Sequence, residues 1–335
     1  MGIIRDHDFL EDLQGWMFCV VGDIHPPDGF FAYPKYALGP GPWRRGERSF
    51  TRTLEKYSMS ELKNLLENLK RLRPECVRLD YVLGAEMFFL PSIKILKHYS
   101  CNEDLKKIIE KDDRDVLEQL LVDLVHEFSD LSGVRLEYFG VTGSILLGIH
   151  HERSDIDLVI YGKENYWKVI EALDEITSPR YEHSLKRFST IYPIKVEDAK
   201  KLARRVRHKR TYRGANFSIY GVRKQDEIDE KYGDYIYRMI GLAKAELEVV
   251  DSSRSCFTPS IYIVEGYAEI GGVRYPVERL TCYDLTYTAL LHEGDKLEVF
   301  GKLEEVINAR SNNSFHHVLI GSFEAAEREY IKLLI

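Results

Sequence analysis

The 335-residue sequence predicts an α+β fold in three consecutive segments, and three observations carry that expectation. An apolar run followed by a proline-dense stretch opens the chain and reads as an N-terminal α/β domain over residues 1–105. Helical apolar stripes alternating with short strand-like runs mark a mixed sheet with helices packed on it over 106–250. Two-residue alternation around a Gly-Gly turn then marks a β-rich domain over 256–335.

In the first segment, Gly15-Trp-Met-Phe-Cys-Val-Val-Gly22 is a short apolar run of the kind that forms a buried strand. Five of the eleven prolines fall between Pro26 and Pro42, which excludes a regular helix and favours turns around one extended stretch. Ser58 and Glu61 have capping-box spacing ahead of Leu62, Leu65, Leu66, Leu69 and Leu72, a helical stripe closed by Pro74. His25, between Asp23 and Pro26, reads either as a metal or catalytic group or, more simply, as a histidine hydrogen-bonded within a turn. Phe30, Phe31, Tyr33, Tyr36 and Trp43, with Lys35, Arg44 and Arg45, are either base-stacking groups or the core and rim of a small domain.

In the second segment, Val116, Leu117, Leu120, Leu121, Leu124, Val125 and Phe128 line one side of a helix over 113–130, with Gly133 as its stop. Val134-Arg-Leu-Glu-Tyr-Phe139 alternates like a strand, and Gly140-Val-Thr-Gly-Ser144 reads as the turn after it, opening a short helix over 144–149. A strand from Asp155 ends at Gly162, a helix follows over 164–175 with Trp167, Ile170 and Leu173 apolar, and Ala215-Asn-Phe-Ser-Ile-Tyr220 is a later strand. In the third segment, residues 259–270 alternate, and Gly271-Gly272 turns them into Val273–Val277. Residues 294–306 resemble the third strand of an OB-fold barrel, with His317-Val-Leu-Ile-Gly321 as a closing strand. OB-folds bind oligonucleotides. The few Lys and Arg here leave a structural or dimer-forming β-domain equally open.

Chemistry enters at residues 143–157. Asp155 and Asp157 stand at alternate positions of an extended run, so their side chains share one face, with Ile156, Leu158 and Ile160 behind them. Adjacent carboxylates repel unless a proton or cation sits between them. Mg²⁺ suits such a pair, since it takes hard oxygen ligands and completes its shell with waters and substrate phosphates. Gly143 allows close backbone approach, free amides at the following helix start favour phosphate oxygens, and Ser144 adds a hydroxyl donor. The picture is a phosphate cradle facing a carboxylate pair.

Gly143-Ser144, ten intervening residues and Asp155-Ile156-Asp157 together resemble the signature of the DNA polymerase β-type nucleotidyltransferase superfamily. Within it, the whole sequence is similar to a group of predicted archaeal nucleotidyltransferases, Gly22-Asp-Ile-His-Pro26 included. The resemblance implies transfer of a nucleoside monophosphate from an NTP to a hydroxyl, with Mg²⁺ or Mn²⁺ as cofactor. Asp155 and Asp157 would be the catalytic metal ligands, and Gly143 and Ser144 would hold the triphosphate. Two departures stand out. Leu146 or Leu147 occupies a position where small members carry a basic residue, and no third carboxylate lies on the later strand, whose Asn216, Ser218 and Tyr220 share a face. A nucleotide- and nucleic-acid-binding protein with impaired catalysis is the alternative.

Net charge is −7, which argues against a protein coated in positive charge. Lys195 to Arg213 nevertheless holds nine Lys or Arg against Glu197 and Asp198, a local net of +7. Val196, Ala199, Leu202, Ala203 and Val206 keep a narrow apolar stripe, so one docked helix, basic on its other sides, is expected. Lys201, Arg204, Arg205, Arg207 and Lys209 are its candidates for RNA or DNA phosphates. The plainer reading is a solvated face whose cations pair with acids such as those at 226–230. The acceptor is accordingly expected to be a nucleic-acid end, with a protein hydroxyl or small molecule as alternatives. No apolar run approaches the ~20 residues of a membrane span. The N-terminus lacks a signal-peptide pattern and the five cysteines form no Cys-x-x-Cys pair. A cytoplasmic protein without a membrane partner is expected, and a homo-oligomer is compatible with the sequence.

Overall fold

The computed structural model describes residues 3–334. They form two compact units, each assembled from three separate stretches of chain. The first comprises the chain up to Glu55, Phe88–Arg180 and Arg207–Asp229; the second comprises Lys56–Met87, Tyr181–Val206 and the chain from Glu230 onward. Three consecutive segments, as read from the sequence, are therefore not the divisions of these units. Seven α-helices and three sheets are present among the described residues.

The chain opens with β1 (Phe9–Asp12) and β2 (Met17–Val20), buried throughout, followed by β3 (Gly29–Arg45) and β4 (Arg48–Arg52). The proline-dense stretch is thus one long strand, whose pairing with β4 shifts register between Leu38 and Trp43. His25 is the turn histidine of the simpler reading: its Nδ1 accepts from the Phe31 N–H at 3.2 Å, and burial pushes it down to about 4. Phe31 and Tyr36 are buried. α1 (Met59–Leu72) begins at Ser58, whose hydroxyl accepts the Glu61 N–H, while the Glu61 carboxylate takes the Lys56 N–H. Leu66 and Leu69 are buried, but Leu72, in the last turn, is exposed.

β5 (Val77–Asp80), β6 (Ala85–Pro91) and β7 (Ile95–Tyr99) lead into α2 (Cys101–Glu110) and α3 (Val116–Ser132). α3 is closed by a capping box of Asp115 and Glu118 and ends at Gly133. β8 covers Phe139–Thr142, later than the sequence suggested, because Leu136–Tyr138 tighten into a 3₁₀ turn. Gly140 belongs to the strand and not to a turn: a Cβ there would lie 3.0 Å from the Cys101 backbone, so the glycine admits α2 against the sheet. The single turn α4 (Gly143–Leu146), β9 (Ile156–Tyr161), α5 (Lys163–Ile176) and the short β10 (Ser178–Pro179) follow. α6 (Tyr181–Ile191) and α7 (Val196–Ala203) precede β11 (Lys209–Tyr212) and β12 (Ala215–Val222). The basic run is consequently not one helix. His208, Arg210 and Tyr212 are buried in alternation, a strand pattern that the density of charge concealed.

The last elements are β13 (Tyr235–Asp251), β14 (Ser260–Ile270), β15 (Val273–Pro276), β16 (Arg279–Cys282), β17 (Lys296–Asn308), β18 (Ser314–Ile320) and β19 (Tyr330–Leu333). Five of them close on themselves in the order β13-β14-β16-β18-β17 and back to β13, with β16 and β18 parallel and the other pairs antiparallel. Tyr262, Leu280, Val299, Leu303 and Val318 belong to the core of this unit. Because β13 starts at Tyr235, the β-rich part begins well before residue 256, and residues 294–306 fall in the fourth strand of the ring instead of the third.

In the first unit, β7-β1-β2-β3 form consecutive antiparallel pairs. A separate five-stranded sheet has the order β10-β11-β12-β9-β8, in which only β9 and β12 run parallel. Ile156, Leu158, Val159 and Ile160 are fully buried, so β9, between β12 and β8, is a covered interior strand of that sheet. None of the five cysteines forms a disulfide, and all are buried. Burial pushes the Cys19 thiol up to about 12 and raises those of Cys101 and Cys282. No helix among the described residues is long and apolar enough to cross a membrane.

Candidate functional site

Strand register assembles the site. β8 pairs Thr142 with Asp157, β9 pairs Asp157 with Ser218 on β12, and β12 pairs Ser218 with Lys209 on β11. Directly paired residues present their side chains to one face. One face of the sheet therefore carries Thr142, Asp157, Ser218 and Lys209 in a row.

The chain leaves this row at Thr142 and turns at Gly143, whose φ is +71°. A Cβ on Gly143 would lie 2.6 Å from Asp157 Oδ2, so only glycine lets the turn run against that carboxylate. Ser144 is 5% exposed, and its hydroxyl makes no hydrogen bond among the described residues. α4 is only one turn long, so the cradle rests on nearby amides and this hydroxyl more than on a helix macrodipole. Asp155 sits just ahead of β9, with Oδ2 3.5 Å from Arg180 Nη1. Two carboxylates from one extended segment, with a side-chain-free turn beside one of them, make a hard-oxygen donor set of the kind Mg²⁺ or Mn²⁺ accepts.

Residues from the turns that flank β1 and β2 lie beside this face. The His7 ring lies against Tyr220, 4.4 Å between centroids, and the Tyr220 hydroxyl is 3.4 Å from Asp157 Oδ1. The His7 carbonyl accepts from Thr142 Oγ1 at 2.6 Å and from Cys101 Sγ at 3.3 Å. Its φ of +65° is uncommon for a residue other than glycine. Burial, aided by the Lys35 cation, pushes the imidazole down to about 4, so it is neutral at pH 7. Nearby, Asp6 Oδ1 accepts the Gly22 N–H and Asp23 pairs with Arg223 at 3.3 Å. Burial and the Asp6 charge push Asp23 up to about 6.

Residues 121–211, which include Gly143, Ser144, Asp155 and Asp157, match the family model of the nucleotidyltransferase domain. The chain is also similar to an uncharacterized protein of Methanocaldococcus jannaschii, 28% identical, with 98% of this chain and 99% of that one covered. No solved structure matches the chain.

Within and beyond the matched segment, the cations of residues 195–213 separate. Lys200 pairs with Glu197 at 3.0 Å, and Arg205 pairs with Asp295. Arg207 and Arg210 share Asp174 at 3.0 and 2.5 Å, and Arg213 binds Asp123 and Glu127. Their partners are not the acids at 226–230. Lys201 and Arg204 are exposed on the second unit and make no ion pair among the described residues. Lys209 points instead to the carboxylate site, where its Nζ donates to Ser218 Oγ at 2.7 Å and to Tyr220 Oη at 3.2 Å. One convergent trio of metal-ligating side chains occurs among the described residues, Asp115, Glu118 and His150. It is engaged structurally, since Asp115 caps α3 and Glu118 pairs with Lys111 at 2.7 Å. His7, Arg180 and the role of Lys209 escaped sequence reading. Asp6-His7-Asp8 has no spacing signature, and Lys209 acts only through cross-strand register.

Proposed function

We propose that this protein moves a nucleoside monophosphate from an NTP to a hydroxyl at a nucleic-acid end, in a reaction that needs Mg²⁺ or Mn²⁺. The observation that carries the reading is the approach of the Gly143 backbone to the Asp157 carboxylate, beside an unengaged Ser144 hydroxyl. Asp155 and Asp157 hold the divalent ion, which when bound supplies charge stabilisation to the phosphates and the pyrophosphate leaving group. Ser144 and the amides of the 143–146 turn orient the triphosphate. Tyr220, packed against the His7 ring, aims its hydroxyl at the Asp157 carboxylate and orients it.

Two features support an oligonucleotide acceptor. The closed ring β13-β14-β16-β18-β17, with its parallel β16–β18 pair, is the strand arrangement of an OB-like barrel, a fold that binds oligonucleotides. Lys201 and Arg204 add exposed positive charge, which attracts the phosphates of RNA and DNA alike. The alternative, a nucleotide- and nucleic-acid-binding protein with impaired catalysis, is favoured by Ser218, a residue without a carboxylate that pairs with Asp157 on the neighbouring strand.

Asp157→Asn tests the reading. Divalent-metal-dependent transfer from a labelled NTP is expected to fall at least ~100-fold, the scale of removing one preorganised charged group. The melting temperature should stay near that of the wild type. Unchanged transfer in that variant refutes the metal role of the pair.

A further inference from the structure

The carboxylate pair comes with fixed positive charge of its own. At Asp155, Arg180 Nη1 stands 3.5 Å from Oδ2. Towards Asp157, Lys209 Nζ donates to Ser218 Oγ and Tyr220 Oη and lies 5.2 Å from the Tyr220 ring centre, within cation–π range. The Tyr220 hydroxyl in turn donates towards Asp157 Oδ1 at 3.4 Å, so donors run from lysine to tyrosine to carboxylate. The two cations belong to one local construction: the Arg180 N–H donates to the Lys209 carbonyl at 3.1 Å, where β10 joins β11.

A two-ion site needs a further ligand beside the shared carboxylate. Among the described residues, no trio of Asp, Glu, His or Cys that includes Asp155 and Asp157 has its ligand atoms within 4.8 Å of one another. The row of paired residues offers Ser218 there, and behind it an ammonium. A lysine in that place repels a second divalent ion, yet its compact charge and N–H donors suit phosphate oxygens.

We propose that Lys209, steadied by Ser218 and Tyr220, is a built-in cation in the position of a second divalent ion, so that the site takes a nucleoside triphosphate with one Mg²⁺. This rests on the reading of Asp155 and Asp157 as the metal pair. Lys209 thus leaves the basic run functionally and belongs to the triphosphate. Arg180 holds Asp155 in the same way that Tyr220 holds Asp157, and both carboxylates remain available to the single ion.

The test is equilibrium dialysis of the full-length protein against Mn²⁺ and a non-hydrolysable NTP analogue, both counted as the excess on the protein side so that Mn²⁺ chelated by free analogue cancels, with analogue affinity measured in parallel. The wild type is expected to bind one Mn²⁺ per chain at saturating analogue, and Asp157→Asn to bind none. Lys209→Met should weaken the analogue at least ~10-fold with its melting temperature retained, and Lys209→Arg should recover most of that loss because the charge returns. Two Mn²⁺ per wild-type chain, both lost in Asp157→Asn, overturn the lysine assignment and leave the carboxylate pair standing. So does a Lys209→Met affinity within about twofold of the wild type. Absence of any Asp157-sensitive binding of Mn²⁺ or analogue overturns both readings at once.

Discussion

At Gly143, a backbone conformation and an electrostatic requirement coincide. Its φ of +71° disfavours any side chain, and a Cβ would stand 2.6 Å from Asp157 Oδ2. Gly143→Ala is therefore expected to cost about 1–3 kcal/mol, from strain at a positive φ and displacement of the carboxylate. A urea melt gives that cost, and analogue binding in the presence of Mn²⁺ is expected to weaken in step with it. Gly143, Ser144, Asp155 and Asp157 are legible in the sequence because their relation is local: a turn, a spacer and an i, i+2 pair. His7 is not, since its place against Tyr220 depends on packing between distant parts of the chain and on a φ of +65° that no residue type announces. Lys209 was visible only as one cation among nine, and its two hydrogen bonds to β12 come from register.

Among the elements, α3 shows how far local pattern reaches. Asp115 Oδ1 accepts the N–H groups of Leu117 and Glu118, both at 2.9 Å, and Glu118 returns a bond to the Asp115 N–H at 3.1 Å. Removing that cap with Asp115→Ala is expected to cost about 1 kcal/mol, seen as a lower denaturant midpoint at an unchanged slope. The stripe of α3 and its glycine stop are readable because helix periodicity and caps are short-range. β8 is readable only in part, because Gly140 serves the approach of α2 and so mimics a turn residue. β11 stayed hidden for another reason: Arg210 is buried against Asp174 and Thr177, and a buried guanidinium breaks the rule that charge marks surface. β13 was cut by the presumed boundary near 250, although its pairing with β14 and β17 makes it central to the ring.

Across the whole molecule, charge that looks concentrated along the chain is mostly consumed by pairing. Within residues 195–213, Lys195, Lys201 and Arg204 are exposed and make no ion pair among the described residues. With a contribution of about 0.7 per neutralised phosphate on single strands, changing these three to Ala should flatten the log–log salt slope of polynucleotide binding by about 2. An unchanged slope, read by fluorescence anisotropy across a salt series, returns them to plain surface. Stability should also carry a pH signature from Glu329, which burial and the Asp284 charge push up to about 7, against N–H groups of Gly321 and Ser322 that oppose the shift. Between the ordinary 4.5 and about 7 the folded protein keeps a proton that the unfolded chain has released. Its contribution to stability is thus full below that window and declines as pH rises through it. Glu329→Gln removes this term, so the variant should gain on the wild type across the window by on the order of 3 kcal/mol, measured by denaturant melts at several pH values. The buried cysteines have a practical sequel. Cys19 and Cys101 lie in one unit and Cys76, Cys256 and Cys282 in the other, all sealed from reagent while the fold is intact. A maleimide pulse followed by peptide mass mapping would then act as a pair of independent clocks, timing the opening of each unit without any engineered label.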